Sequence, residues 1–173
     1  MVEIKQFDAA MGGEPLLSCF DIAQACWPVD EPGLPEWSLG TFTAKWAHGW
    51  DTSPRETWLA THGSGEPVGS YLLTLPDRHN VWRADLVIKV PPERRRTGIG
   101  SQLLRHAADR ARQAGRTRLT AKAWDDSAGA AFAATVGASA GIADVSRILS
   151  LDDNVRARLP GLRRAAEAAR SRL

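Results

Sequence analysis

The sequence predicts an α+β fold, and three observations support that class. Helix-like and strand-like segments alternate along the 173 residues in the order β-α-α-β-β-β-α-β-α-β. The second, third and fourth strand-like segments are joined by a Gly63–Ser64–Gly65 turn and a longer turn at 76–80, which are typical of antiparallel hairpins. Hydrophobic residues make up 43% of the chain, which is sufficient for a packed core.

The N-terminal part of the chain contains one predicted strand and two predicted helices. Residues 2–7 are predicted to form the opening strand. Apolar residues recur at helical spacing over 15–25, and a loop rich in Pro and Gly follows at 28–35. A second helix is predicted over 39–50, ended by His48–Gly49. Both cysteines, Cys19 and Cys26, lie on one face of the first helix and are predicted to be core thiols.

Three strands and a long helix follow. The strands are predicted at 56–61, 67–75 and 81–90. Gly98–Ile99–Gly100 opens the helix, and Gly115 is placed to end it. The apolar face of this helix is Ile99, Leu103, Leu104, Ala107, Ala108, Ala111 and Ala114.

The C-terminal part contains two more strands, a short helix and a basic tail. A strand is predicted at 118–124, an Ala-rich helix at 126–136 with Asp125 or Asp126 as its N-cap, and a last strand at 145–151. Pro160 suits the first turn of a helix in the Arg/Ala-rich tail, and a frayed basic tail is the alternative. The expected organisation is one domain at 1–151 and a basic helix or linker at 152–173.

Composition excludes several classes of protein. Lys and Arg number 22 against 20 Asp and Glu, which is too balanced for a protein that binds nucleic acid or membrane surfaces through net charge. The two Cys form no C-x-x-C motif, which excludes a disulfide scaffold and a structural zinc site and indicates a reducing compartment. No apolar run is long enough for a membrane span, and no signal peptide is recognised. We expect a cytoplasmic protein without a metal.

The segment between the fourth strand and the long helix carries the chemistry. It is a basic loop, with Arg94, Arg95 and Arg96, that leads into Gly98-x-Gly100 at a helix N-terminus. Glycines let backbone amides converge on an anion, and the helix dipole and the arginines add positive potential, so a pyrophosphate is the expected ligand. The loop matches neither of two other phosphate-binding motifs. A Rossmann fingerprint requires a third Gly at position 103, where this sequence has Leu, and a Walker A loop requires Gly-Lys-Ser/Thr, which is absent. An ordinary capped surface helix after an Arg-rich loop is the remaining alternative.

The stretch Val90-Pro91-Pro92-Glu93-Arg94-Arg95-Arg96-Thr97-Gly98-Ile99-Gly100-Ser101-Gln102-Leu103-Leu104 resembles the acyl-CoA loop of the GNAT family of N-acetyltransferases. The family signature Arg/Gln-x-x-Gly-x-Gly/Ala reads Arg95-x-x-Gly98-x-Gly100 here. The order of elements over residues 2–151 is similar as well. The resemblance implies a mixed, mostly antiparallel central sheet with helices on both faces, and acetyl-CoA as the co-substrate.

The resemblance also implies which residues hold the cofactor. In the family, the strand before the loop pairs with the pantetheine arm, the loop amides bind the pyrophosphate, and the two strands splay to admit the thioester. The Val90 N–H is then placed to stabilise the oxyanion of the acetyl carbonyl. The cofactor-binding residues implied in this way are Ile88, Lys89, Val90, Arg95, Arg96, Thr97, Gly98, Ile99, Gly100 and Ser101.

The acid–base residues follow the family pattern less closely. Family members often protonate the leaving thiolate with a Tyr on the helix after the fifth strand, where this sequence has Ala133. The only Tyr, Tyr71, lies on the third strand and is not assigned that role. Asp85, on the strand that ends at Val90, is the candidate general base, and a structural ion pair with Arg83 is the alternative.

Three functions are compared. The first is an N-acetyltransferase that acts on a primary amine of a small molecule or peptide. The second is a non-catalytic acyl-CoA-binding or regulatory half of a tandem acetyltransferase, because Leu73–Asn80, the stretch Arg94–Gly100 and the terminal Arg/Ala helix together resemble the N-terminal half of actinobacterial tandem acetyltransferases. A second acetyltransferase-like half is then the expected partner, and a homodimer through a sheet edge or the tail helix is the alternative. The third is nucleic-acid binding through the Arg cluster, which is disfavoured because no aromatic residues are interleaved with it.

Overall fold

The structure, a computed structural model, describes residues 2–49, 53–145 and 153–170 of the chain. The chain divides into two compact units, Met1–Ala138 and Ser139–Leu173. The described part of the first unit follows the predicted order from the opening strand to the Ala-rich helix. Its elements are β1 (Val2–Phe7), α1 (Glu14–Asp30), α2 (Leu39–Ala47), β2 (Arg55–His62), β3 (Pro67–Thr74), β4 (Arg83–Lys89), α3 (Ile99–Gln113), β5 (Arg118–Thr120) and α4 (Ala128–Thr135).

The five strands form one sheet in the order β1-β2-β3-β4-β5. The first four strands are antiparallel to their neighbours, and β5 is parallel to β4. The parallel pair follows from the connection, because α3 carries the chain back along the sheet before β5 begins. The mixed, mostly antiparallel sheet predicted from the sequence is therefore confirmed.

Helices pack on both faces of the sheet, as predicted. On one face Tyr71 and Leu73 of β3 pack in a core that includes Leu103 of α3. On the other face Leu72 packs in a core with Cys19 of α1 and other residues of α1 and α2. Adjacent residues of β3 thus belong to different cores, since side chains alternate across a strand.

α3 buries the stripe that its sequence pattern predicts. Ile99, Leu103, Ala107 and Ala111 are all at most 3% exposed. They recur at spacings of four residues, which places them along one side of the helix. Gly115 follows the helix with a φ of 74°, the left-handed conformation expected after a helix C-terminus.

α1 is longer than predicted because it continues through Pro28 to Asp30. Pro28 cannot donate a backbone hydrogen bond, and the sequence pattern therefore predicted a loop. Packing outweighs that loss: Trp27 is 5% exposed, contacts Trp37 edge-to-face, and donates from its indole to the Leu34 carbonyl at 3.1 Å. The extra turn brings the end of α1 beside β4.

Other predicted boundaries also shift. β5 covers Arg118–Thr120 rather than 118–124, because its pairing with β4 ends there. α4 begins at Ala128 rather than at Asp126, whose φ of 60° is incompatible with a helix. Ser127 is the N-cap instead of either aspartate, and its hydroxyl accepts from the Ala130 amide at 3.1 Å. α2 ends at Ala47, and the predicted last strand at 145–151 lies, apart from Val145, outside the described residues.

The described part of the second unit contains α5 (Asp153–Arg170). The helix begins upstream of Pro160, which therefore lies inside it and not in its first turn. Leu159 and Leu162 are 42% and 55% exposed within this unit. No helix among the described residues of the chain is both long and apolar enough to cross a membrane.

Candidate functional site

β4 and β5 separate after three residue pairs. The last pair is Asp85 with Thr120. β4 continues to Lys89, and from Asp85 to Lys89 its opposite edge is paired with β3. The second half of β4 therefore has an open edge among the described residues.

Backbone groups of alternate β4 residues point to this edge. The carbonyl of Trp82, just before β4, accepts from the Thr117 amide at 2.8 Å, and the Ala84 carbonyl oxygen lies 3.4 Å from the Thr120 hydroxyl oxygen of β5. Because every second residue of a strand directs its N–H and C=O to the same side, those of Leu86 and Ile88 face the open edge. Unpaired backbone groups at a strand edge can pair with an added extended segment, so an extended ligand fits here as a substitute strand.

The loop after β4 contains two residues of positive φ before α3 begins. A 3₁₀ turn covers Pro92–Arg94, and φ is 64° at Arg96 and 86° at Gly98. A Cβ on Gly98 would meet no atom within 4 Å, so the left-handed backbone and not lack of space favours glycine there. No side chain caps the N-terminus of α3. Its first amides are therefore available to an anion.

Gly100 has a different role, in helix packing. An added Cβ would lie 3.7 Å from the ring of Phe132 on α4, which is ordinary van der Waals distance. α4 thus packs against the first turn of α3 through Phe132. The two glycines of the signature are not equivalent: one shapes the loop and the other faces a neighbouring helix.

The three loop arginines point to three different places. Arg94 forms an ion pair with Glu66 at the end of the β2–β3 hairpin. Arg95 donates from Nε to the Val90 carbonyl at 3.0 Å and from its terminal nitrogen to Asp30 at 2.9 Å. Arg96 is exposed and forms no ion pair with any described residue. The sequence predicted that all three contribute positive charge to one spot, but carboxylates neutralise two of them.

The end of β4 is tied to the end of α1. Lys89 bonds Glu31 at 3.0 Å and lies 3.8 Å from Asp30. The Cys26 thiol donates to the Val90 carbonyl at 3.3 Å. Burial, and then the negative charge of Asp30, raise the pKa of Cys26, so the thiol stays neutral and can donate. Cys26 and Cys19 are both free, buried thiols, as predicted.

Asp85 stands where β4 and β5 separate. Its carboxylate accepts from the Thr120 hydroxyl and pairs with Arg83 at 3.3 Å. The side chain is 40% exposed, so it is accessible to a ligand. The ion pair with Arg83 that the sequence left as the alternative is present, and the catalytic role of Asp85 stays a prediction.

The α1/α2 face of β4 is partly uncovered. Val87 pairs with Leu72 and lies on the same side of the sheet. Leu72 is buried in the core below α1 and α2, whereas Val87 is 44% exposed. Since side chains alternate, Asp85 points to this same side. An exposed apolar side chain next to a carboxylate is thus accessible to solvent beside the separated strands.

No residue of α4 can transfer a proton in the family's usual way. Ala133 is confirmed to lie on α4, whose eight residues include no titratable side chain. Tyr71 lies on the α3 face of the sheet, fully buried, with its hydroxyl 2.7 Å from Nδ1 of His106. Burial, and then Glu56, raise the pKa of Tyr71 above its ordinary value. The single Tyr is therefore a structural residue and does not replace the missing acid.

Two site residues were missed by the sequence pattern. Asp30 and Glu31 contact β4 and the loop, but they fall in a segment that was predicted to be an irregular loop. The signal available in the sequence was a pair of adjacent acidic residues that can form ion pairs with Lys89 and Arg95, although these lie far along the chain. Among the described residues, no three His, Cys, Asp or Glu side chains are arranged to hold a metal ion.

An open strand edge beside an uncapped helix N-terminus defines a site for an extended ligand that carries an anionic group. The chain belongs to the acetyltransferase (GNAT) family, because the model of that family matches residues 16–137. The resemblance recognised from the Arg95-x-x-Gly98-x-Gly100 loop is thereby confirmed. No curated protein matches the chain.

Solved structures share the fold. A tandem GNAT protein from the clavulanic acid biosynthesis pathway is 28% identical, with a TM-score of 0.68 over 79% of this chain. This chain spans only 43% of the length of that tandem protein. An N-acetyltransferase from Thermoplasma acidophilum, in complex with coenzyme A, is 16% identical with a TM-score of 0.64 over 84% of this chain and 94% of its own. An aminoglycoside acetyltransferase from an uncultured soil metagenomic sample, in complex with sisomicin, is 14% identical with a TM-score of 0.64 over 87% of this chain and 97% of its own.

Proposed function

We propose that the chain binds acetyl-CoA between β4 and β5 and transfers its acetyl group to a primary amine of a small molecule or peptide. One observation carries the proposal. β4 loses its β5 partner after Asp85, and its open edge leads directly to the uncapped N-terminus of α3. A family of acetyltransferases to which the chain belongs provides the chemical class.

The chain offers two kinds of groups to acetyl-CoA. The backbone groups of Ile88 and the N–H of Val90 provide the strand edge for the pantetheine arm, whereas the backbone groups of Lys89, which the sequence also assigned to the arm, face β3. The amides from Arg96 to Ser101 surround the start of α3 and suit the pyrophosphate. The site fits a ligand held by the main chain, because the side chains of Lys89 and Arg95 are already bonded to carboxylates.

Acetyl-CoA supplies an activated acyl group as a thioester. The acceptor arrives as an ammonium, and its nitrogen loses two protons in all. Loss of the first frees the lone pair that forms the bond to the acetyl carbon, and the second leaves to solvent as the carbon–sulfur bond breaks and the thiolate gains one proton. In this proposal Asp85 accepts the proton from the incoming ammonium, directly or through water. The Val90 N–H stabilises negative charge on the carbonyl oxygen. With no acid on α4, solvent supplies the proton to the thiolate.

The acceptor binds on the α1/α2 side in this proposal. That side presents Asp85 and exposed Val87 next to the separated strands. A carboxylate beside an apolar surface suits a cationic amine with an apolar body. The remaining contribution to rate is the positioning of amine against thioester.

A second function is a non-catalytic acyl-CoA-binding or regulatory half of a tandem acetyltransferase. The absence of a titratable side chain on α4 favours it. The chain also spans 43% of a tandem GNAT protein. In this version α5, within the proposed basic segment 152–173, links the domain at 1–151 to a second acetyltransferase-like half or to another copy.

The proposed location is the cytoplasm. Two free, buried thiols suit a reducing compartment.

Calorimetric titration with acetyl-CoA and CoA, followed by measurement of thiol release with a panel of amines, tests the proposal. The panel contains an aminoglycoside, a polyamine and a lysine peptide. Binding with amine-dependent thiol release supports the enzyme. Binding without release favours the non-catalytic half, and absence of binding eliminates both.

A further inference from the structure

The signature arginine Arg95 is joined to α1 rather than directed to solvent. Its guanidinium bonds the Val90 carbonyl and the Asp30 carboxylate at once, at 3.0 Å and 2.9 Å. The side chains of Arg95 and Asp30 are only 20% and 24% exposed. A guanidinium with two fixed acceptors is held in one orientation, so Arg95 acts as a rigid connection between α1, β4 and the loop.

This connection lies next to a strained backbone position. Arg96 has a φ of 64°, which is unfavourable for a residue with a side chain. Such a conformation persists only when its surroundings hold it in place. Arg95 is held on one side by Asp30, and on the other side the Thr97 hydroxyl donates to the Arg94 carbonyl at 2.7 Å. Both bonds hold the stretch that leads into the uncapped N-terminus of α3.

We propose that Asp30 is a positioning residue for acyl-CoA: by holding Arg95 it keeps the β4–α3 loop in the shape that presents its amides to the pyrophosphate. Arg95 then supports binding without touching the phosphates, and Arg96 is the loop arginine that remains available to them. This inference rests on the proposed function, since it assigns the device that prepares that same site.

Electrostatics alone predicts that removal of the Asp30 charge strengthens acyl-CoA binding, which is the opposite of what the positioning role predicts. Asp30 is a negative charge close to the site of a polyanionic ligand, so its removal would strengthen binding if charge were all that mattered. The positioning role predicts weaker binding, because the loop loses the partner of Arg95. The sign of the change in affinity therefore separates the two explanations.

The experiment measures the Kd of acetyl-CoA by calorimetry for Asp30→Asn, Arg95→Gln and the double variant. We expect each single variant to raise Kd about tenfold and the double variant to raise it no further, because both remove the same connection. Asp30→Glu is expected to restore part of the affinity. Asp109→Asn is the matched control: it removes the same charge from an exposed pair with Arg112 on α3 and should leave Kd unchanged.

Amide hydrogen exchange in residues 96–101, without ligand, is the second readout. Asp30→Asn should accelerate it at least fivefold while the core amides of β3 stay protected. An unchanged or lower Kd for Asp30→Asn, or additive effects in the double variant, would overturn the proposal. If the wild-type chain does not bind acetyl-CoA, the proposed function fails, and exchange alone then decides whether Asp30 holds the loop.

Discussion

Substitution of Asp85 by Asn separates a catalytic carboxylate from a structural one. Asn keeps an oxygen that accepts from Thr120 and loses the charge paired with Arg83 at 3.3 Å. Because the Asp85 side chain is 40% exposed, that ion pair contributes at most about 1 kcal/mol to folding. A general base contributes about 10²–10⁴-fold to rate. The variant should therefore lose at least about 100-fold in kcat, about 2.7 kcal/mol of activation free energy, and remain folded.

The assay is thiol release at saturating acetyl-CoA, with urea unfolding and calorimetric titration on the same samples. Arg83→Gln is the matched control, because it breaks the same ion pair and leaves the carboxylate. It should keep kcat within about threefold. If Asp85→Asn retains wild-type kcat, or if Arg83→Gln loses as much as Asp85→Asn, the carboxylate is not the base. Acetyl-CoA affinity should be the same in all three proteins.

Three further predictions follow from the loop and from the α3 face. Ser101→Glu adds a carboxylate where the pyrophosphate is proposed to bind and should weaken acetyl-CoA binding at least about tenfold. It should not lower Tm, since an acidic residue near a helix N-terminus is favourable. Ser101→Gln is the neutral control, and equal acetyl-CoA affinities of the two variants would contradict the proposed site. Gly98→Ala should cost about 1–2 kcal/mol in urea unfolding because φ is 86°, whereas Gly100→Ala, inside α3, should be neutral or stabilising; the reverse order would be inconsistent with the loop. Burial, and then Arg110, lower the pKa of His106, so the unfolded chain takes up a proton first and stability should fall as pH drops below about 6.5. His106→Gln should remove that part of the pH dependence of the free energy of unfolding. A wild-type protein that becomes more stable on acidification would refute the prediction.

The sequence pattern predicted well those helices and strands in which the spacing of apolar residues matches the residues that are buried. The apolar stripe of α3 is fully buried at Leu103 and Ala107. The loop motif of Arg95, Gly98 and Gly100 located the candidate site because backbone requirements restrict which residue types can occupy a position. Helical periodicity and the backbone angles of a loop depend on residues that are close together in sequence, and both can therefore be predicted from it.

Boundaries depended on tertiary contacts and were less well predicted. α1 passes through Pro28 because the burial of Trp27 outweighs one lost hydrogen bond. β5 stops at Thr120 because β4 diverges, although its residues continue to favour a strand. α4 begins after Asp126 because of a turn conformation that propensity alone does not indicate.

The amino-acid sequence alone specified the family, the order of elements and the place of the proposed acyl-CoA loop, since these depend on periodicity and on glycines with required backbone angles. The tertiary structure decided what each side chain does there. It turned Arg95 toward Asp30, paired Asp85 with Arg83, and buried Tyr71 on the α3 face against His106. These partners lie far apart in the chain except for Arg83 and Asp85, and only folding brings their charges and hydrogen-bonding groups within reach.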